Sequence, residues 1–312
     1  MDKKSNPESD WSNVPAGAGR VWACIAVFNR VHYTRRCLQL LRVQTYPAIT
    51  PVVVDDGSRD GTSAMVIAEH PEAVLLQGDG SLYWTGAMHR GVSHILAHAA
   101  ENDYTLLLND DLMFETDFVE KLIEAAKRRP RSLIQAVETC AENTDVIWQG
   151  GVRMNWWTAE HRRLNHHRRI SEFPSGHFEP SDYVTGRGVI VPMEVFHTAG
   201  NYDASYRQYG DPEFARRAAR AGYELLVAYD VPVVSYDKGR NLNETESYFL
   251  SDLKTYYFGI LSSARLGTRW KNAMDMTDSL IQGLVFFCCD VVRITWHFVR
   301  RLKIRPPVHS TT

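Results

Sequence analysis

Two short apolar runs in this 312-residue chain each stop at a pair of carboxylates. Pro51 to Val54 runs into Asp55 and Asp56 in "VVVDDGSRDGT", and Thr105 to Leu108 runs into Asn109, Asp110 and Asp111 in "LLLNDDLMF". A continuous apolar or β-branched run of this length marks a strand buried on both faces, as in a parallel sheet covered by helices. The surrounding pattern supplies the covering layers. Val21 to Phe28 reads as a further buried strand, and Thr34 is placed to cap an amphipathic helix with Leu38 and Leu41 on its apolar face. An apolar helix around Ala64 to Ala68, a strand at Ala73 to Leu76 and a helix through Met88 to Ala99 complete the alternation. Strands and helices in this order predict an α/β fold with a mostly parallel sheet and working loops at the carboxyl ends of its strands. Both acidic pairs fall at such ends.

Two uses of those carboxylates are open. Asp110 and Asp111 suit a divalent cation held jointly with substrate phosphates, or simply a solvated turn. Asp55 and Asp56, with Gly57 and Gly61 permitting a tight loop, could accept hydrogen bonds from a nucleotide's base N–H or ribose hydroxyls. No G-x-G-x-x-G follows the first strand and no G-x-x-x-x-G-K-[ST] occurs, so NAD-dependent and P-loop chemistry lose their main support.

A formal net charge of -2 argues against a nucleic-acid partner, whose phosphates call for a strongly basic surface. Cys24, Cys37, Cys140, Cys288 and Cys289 form an odd, irregularly spaced set, which points to a reducing, cytoplasmic compartment. Residues 1–20 read as a flexible leader without the apolar core of a signal peptide. Beyond Arg129 come strand-like pieces, "DVIWQGGVRM" and "DYVTGRGVIV", separated by a polar stretch of 25 residues, "TAEHRRLNHHRRISEFPSGHFEPSD", expected to be a long loop. A helix is expected from Pro212 to about Gly222.

The last segment, "DSLIQGLVFFCCDVVRITWHFVRRLKIRPP", is apolar but interrupted by Asp290 and Arg293, so it falls short of the run of about 20 apolar residues that spans a bilayer. With Arg300, Arg301, Lys303 and Arg305 at its end it suits a helix lying in a membrane surface, over residues 278–305, or a terminal helix packed on the protein.

In chain order, "VFNR", "VVVDDGSRDGT", "GSLYWTGAMHRGV", "LLLNDDLMF", "GRGVIVPMEVFHTAGNYD" and "YGDPEFARRAARAGYEL" resemble the family 2 glycosyltransferases, inverting nucleotide-sugar enzymes of the GT-A fold, in their rhamnosyltransferase-like branch. The resemblance covers Val21 to Tyr236. It implies a GT-A domain over residues 21–240, with a nucleotide-sugar half at 21–129 and an acceptor half at 130–240, followed by a helical extension at 241–312. It further implies a nucleotide-diphosphate sugar donor and a glycan or lipid-linked acceptor, as in cell-surface polysaccharide synthesis. The family's D-x-D falls on Asn109, Asp110 and Asp111, making Asp111 the ligand of Mn²⁺ or Mg²⁺ and placing Asp110 on the substrate side. Asn109 replaces the first aspartate.

By the same resemblance Phe28, Asn29, Asp55 and Asp56 meet the nucleotide, and Trp84 lies on the substrate side. His89 and Arg90 meet the diphosphate or sugar, or else are surface residues of a helix. The usual late histidine ligand has no counterpart in "VVSYDKG", which offers Ser235, Tyr236 and Asp237. The family's catalytic base maps to Asp211, with Glu213 as a supporting carboxylate, although an aspartate before Pro212 also suits a helix N-cap. A GT-A-like protein that binds nucleotide sugar without turnover is the alternative. A sugar nucleotidyltransferase is disfavoured, because "ACIAVFNRVHYT" has no glycine for its phosphate loop.

Overall fold

The computed structural model describes residues 19–207, 209–235, 248–260 and 262–303. The leader to residue 18, together with Tyr236, Asp237 and Arg305, lies outside the described residues. The elements are β1 (Val21–Val27), α1 (Val31–Arg42), β2 (Ile49–Asp55), α2 (Thr62–Glu69), β3 (Val74–Gln77), α3 (Tyr83–Leu96), β4 (Tyr104–Leu108), β5 (Leu112–Met113), α4 (Phe118–Arg128) and β6 (Ser132–Cys140). There follow β7 (Asn143–Gln149), β8 (Val152–Met154), β9 (His161–Arg163), β10 (Phe178–Pro180), β11 (Arg187–Pro192), α5 (Met193–Ala199), α6 (Gly210–Arg220), β12 (Glu224–Ser235), α7 (Leu253–Phe258), α8 (Leu266–Met276) and α9 (Leu280–Arg300). Two compact units result, one of residues 1–153 and 163–236, the other of residues 154–162 and 237–312.

The first unit is built on a sheet of order β10-β12-β6-β11-β4-β1-β2-β3. β3, β2, β1 and β4 run parallel; β11 is antiparallel between β4 and β6, and β6 and β12 resume the first direction. The mostly parallel sheet follows from the buried strands, whose residues alternate strictly between two cores. Val21, Ala23, Ile25, Val27, Leu106 and Leu108 face α1, α2 and α4. Trp22, Cys24 and Leu107 face α3, α5 and α6.

Four local expectations are corrected. Thr34 does not cap α1: the helix begins at Val31, Arg30 takes the cap position, and Thr34 is buried in the first turns with its hydroxyl on Asp110. The chain needs no hydroxyl cap there because Asp60 accepts the Val31 N–H at 2.9 Å. α6 begins two residues before Pro212, since a proline within the first turn lacks only an N–H that has no intrahelical partner. Asp211 is therefore inside the helix, not its cap. β6, wholly unanticipated, is a nine-residue strand buried along nearly its whole length, polar Gln135, Glu138 and Thr139 included. The polar stretch after Trp157 is ordered by β9, β10 and a 3-10 turn, with Asn165 donating to Tyr229 and Glu179 and Ser171 donating to Asp145.

In the second unit Tyr256 of α7 and Ile294 and Phe298 of α9 pack together with Tyr248, and Leu266 of α8 lies against them, while Ala159, Ala273 and Phe286 form a second small core. Ser279 caps α9 by accepting from Gln282 N–H at 3.2 Å. Asp290 and Arg293 do not interrupt α9 as expected. They pair with each other, and Arg269 of α8 donates to Asp290 at 3.1 Å, so the buried carboxylate is engaged by two guanidinium groups. At 21 residues, α9 is long and apolar enough to cross a membrane by length and composition.

Candidate active site

The acidic ends of β2 and β4 and the start of α6 carry the residues singled out from sequence. Asp110 is buried and Asp111 retains 15% side-chain exposure. Thr34 donates to Asp110 at 3.0 Å, and the Arg30 guanidinium lies 2.9 Å from Asp110 and 3.5 Å from Asp111. Burial pushes the Asp110 carboxyl up to about 6, with Arg30 and Thr34 opposing. A cation from the protein thus already stands across the two carboxylates. Among the described residues no three His, Cys, Asp or Glu side chains form a ready metal cage. An oxygen donor of this kind fits a hard cation completed by substrate phosphates, because Mg²⁺ commonly takes only one or two carboxylates from the protein.

Asn109 is bonded within the protein. Its Oδ1 accepts from Trp84 Nε1 at 3.3 Å, and its N–H donates to Gly186 O at 2.8 Å. A Cβ on Gly186 would lie 2.7 Å from Trp84 Cζ2, so only glycine lets the indole rest there. The Gly186 N–H in turn donates to Asp211 Oδ2 at 2.8 Å, and Tyr202 donates its phenol to Asp211 Oδ1 at 2.8 Å. The Tyr202 ring meets Trp84 edge-on at 5.8 Å and stacks on Phe214 at 4.9 Å. One residue, Gly186, therefore joins the end of β4 to the carboxylate of α6. Gly210 has a similar reason: a Cβ there would lie 2.4 Å from Thr85 Cγ2, where α6 starts against α3.

Asp211 remains partly exposed while both oxygens are held. Burial pushes its carboxyl up to about 7; Gly186, Tyr202 and the positive charge of Arg187 pull the other way. Such a group takes up and releases a proton near neutrality, as a general base requires. Glu213 is buried and engaged by Arg217, which also donates to the carbonyls of Ala199 and Asn201. Its link to Asp211 is indirect, through the turn that carries Tyr202.

Asp55 and Asp56 are both buried and bonded to their own loops. Asp55 accepts from Ser58 N–H at 2.9 Å and from the Ser63 hydroxyl; Asp56 accepts from Gly80 N–H and Tyr83 N–H, each at 2.9 Å. Their direct geometric effect is to shape the loops after β2 and β3. Asn29, left-handed at φ 52, donates to Ser58 and accepts from Arg59 N–H at 2.8 Å, leaving Phe28 53% exposed beside it. His89 donates from Nδ1 to Tyr202 O at 2.6 Å, whereas Arg90 is exposed; the Ser81 hydroxyl and N–H hold the Asp79 carboxyl below its usual range, and the Arg90 charge adds to them.

Arg30, Glu138, Arg187 and Tyr202 were missed by the sequence reading. Arg187 pairs with buried Glu138; Arg187 stood in view within "GRG" and Tyr202 within "GNYD", whereas Glu138 lies outside the motifs. Nothing local marked them, because their partners lie from 9 positions away, for Tyr202 and Asp211, to 80 or 81, for Arg30 and the two aspartates after β4.

The family model for "Glycosyl transferase family 2" matches residues 22–187, more than half of the chain. The chain belongs to this family. The N-acetylglucosaminyl-diphospho-decaprenol L-rhamnosyltransferase of Mycobacterium tuberculosis is 22% identical, over 72% of this chain and 78% of the relative. The succinoglycan biosynthesis protein ExoA of Rhizobium meliloti is 24% identical, over 72% of this chain and 66% of that protein. The mannosyltransferase PcManGT from Pyrobaculum calidifontis, solved with GDP-Man and Mn²⁺, superimposes with a TM-score of 0.54 at 14% identity, covering 90% of this family 2 chain and 72% of the mannosyltransferase. At that identity the likeness establishes the shared GT-A fold.

Proposed function

We propose that this glycosyltransferase is a metal-dependent inverting enzyme of cell-surface polysaccharide synthesis, using a nucleotide-diphosphate sugar donor and a lipid-linked or glycan acceptor. The observation that carries the reading is Asp211, a partly exposed carboxylate held by two donors with its proton affinity raised to about 7. Inversion needs one such group. As the acceptor oxygen attacks the anomeric carbon, its proton passes to Asp211. The bond from that carbon to the departing phosphate breaks on the opposite side, and its electron pair leaves with the nucleotide diphosphate.

Asp111 would hold Mn²⁺ or Mg²⁺, with buried Asp110 behind it and Arg30 yielding its place across the pair. The ion would stabilise charge developing on the leaving diphosphate. The loops shaped by Asp55, Asp56 and Asn29 would receive the nucleotide, with exposed Phe28 against its base. Support for the lipid-linked acceptor and the polysaccharide comes from the activities named for the mycobacterial and rhizobial relatives. Five cysteines without a disulfide accord with a cytoplasmic site of action at the inner membrane face.

The test incubates the full chain with Mn²⁺, a panel of nucleotide sugars and polyprenyl-diphosphate glycan acceptors, and follows both product and anomeric configuration. Transfer with inversion is expected from one donor class. Binding of a nucleotide sugar without turnover across the acceptor panel would instead identify a nucleotide-sugar binding protein, and a retained anomeric configuration would remove Asp211 from its role.

A further inference from the structure

The outward side of α9 carries a surface that the glycosyl-transfer site does not use. Ile281, Val285, Cys288, Val292, Trp296 and Val299 recur at intervals of three and four and so share one side of the helix. Ile281 and Val292 are each 70% exposed and Trp296 is 62% exposed. No charged residue interrupts the stripe, because Asp290 and Arg293 lie on the other side, where Arg269 completes their pairing. The opposite side also packs through Phe286, Ile294 and Phe298, and Tyr256 donates to Ile294 O at 2.8 Å.

We infer that this stripe is a membrane-docking surface whose occupant is an anionic lipid bilayer, with α9 lying in the plane of the interface. Charge complementarity selects that occupant: Arg300 and Lys303 are exposed at the end of the stripe, and Trp296 sits one turn before Arg300, the arrangement of an apolar face with an aromatic and basic margin. The whole chain, at net charge -2, has no general attraction for anionic lipid, so the attraction is local to this end. A spanning orientation conflicts with the packing. It would carry the exposed Lys271–Asp275 pair of α8 and the charges around Asp290 towards hydrocarbon along with α9. The inference rests on the second unit alone and stands or falls separately from the chemistry at Asp211.

The test is flotation of the full chain with vesicles of phosphatidylcholine alone or mixed with phosphatidylglycerol. Wild type should float with the anionic vesicles and be partly released by salt. Val292→Gln with Trp296→Gln, both at exposed positions, should weaken binding at least tenfold while leaving the thermal midpoint and sugar transfer to a soluble acceptor unchanged. Arg300→Gln with Lys303→Gln should mainly flatten the salt dependence. Acyl-chain bromines near the headgroup should quench Trp296 more than those at the bilayer centre, judged against Trp296→Phe. Equal flotation of wild type and the Val292/Trp296 variant would overturn the proposal. So would strongest quenching at the bilayer centre, which means a span, or a dimer in free solution that the same variant dissociates, which means a second copy covers the stripe. Should the glutamine pair unfold the chain, Val292→Ala with Trp296→Phe, expected to weaken flotation severalfold, replaces it with the same criteria.

Discussion

Tyr202 donates its hydroxyl to Asp211 at 2.8 Å while its ring stacks on Phe214 and meets Trp84. The contact fixes the carboxylate's direction, and the buried phenol is itself held neutral, its proton affinity raised far above the ordinary range by burial and then by the Asp211 charge. As the proposed base, a carboxylate positioned in this way gives separable expectations for chemistry and stability.

Asp211→Asn should lower transfer by about two orders of magnitude or more, the usual contribution of a positioned general base. Its stability should stay near wild type. The amide oxygen can accept from Gly186, and the Tyr202 hydroxyl can turn to accept from the new NH₂. Asp211→Ala strands both donors and should cost about 1–3 kcal/mol. Initial rates at saturating donor and denaturant midpoints of the three proteins check this; wild-type turnover in Asp211→Asn would move the base elsewhere.

Transfer should rise with pH through about 7 and level off above it, since Asp211 must be unprotonated to accept the acceptor's proton. Stability should change in the opposite sense. The folded protein keeps a proton on Asp211 that the unfolded chain, near 3.8, has released, so this group's stabilising contribution is full below that value and is lost as pH rises through about 7. Asp211→Asn should remove that part of the slope, measurable by urea unfolding between pH 4 and 8.

Tyr202→Phe keeps the ring contacts and removes one donor that favours ionised Asp211. The pH–rate profile should shift upward and kcat fall by about tenfold, with the donor KM little changed. An unshifted profile would leave Tyr202 a packing residue only.

Asp111→Asn should abolish the gain in nucleoside-diphosphate affinity that Mn²⁺ confers on the wild type, because a neutral amide is a poor partner for a hard cation. Calorimetric titration with and without Mn²⁺ reads this directly. A Mn²⁺ effect of equal size in both proteins would place the ion elsewhere.

Gly186→Ala puts a methyl 2.7 Å from Trp84 Cζ2 and should destabilise by about 1–3 kcal/mol. Trp84→Leu should relieve part of that cost. A double-mutant cycle on thermal midpoints gives the coupling, and additive effects would mean that the close approach carries no strain.

The sequence by itself determined the parallel half of the sheet and the edge at which the acidic pairs stand. Buried strands such as Val52 to Val54 and Leu106 to Leu108 must be covered on both faces, and the carboxylates that end them are then fixed at the sheet's carboxyl edge. The order of six motifs pointed in the same way to the family and to Asp111 and Asp211. Tertiary structure decided what each polar group does. Asp56 holds the loop of Gly80 and Tyr83, Asn109 holds Trp84, and Asp211 receives Gly186 and Tyr202 instead of capping its helix. Tertiary structure also turned Asp290 inward, where Arg269 and Arg293 both donate to it, making an unbroken apolar stripe of a segment that reads as interrupted. Periodicity and local propensity act over a few residues, whereas a hydrogen bond or ion pair is chosen by whichever groups the fold brings within about 3 Å, at any separation along the chain.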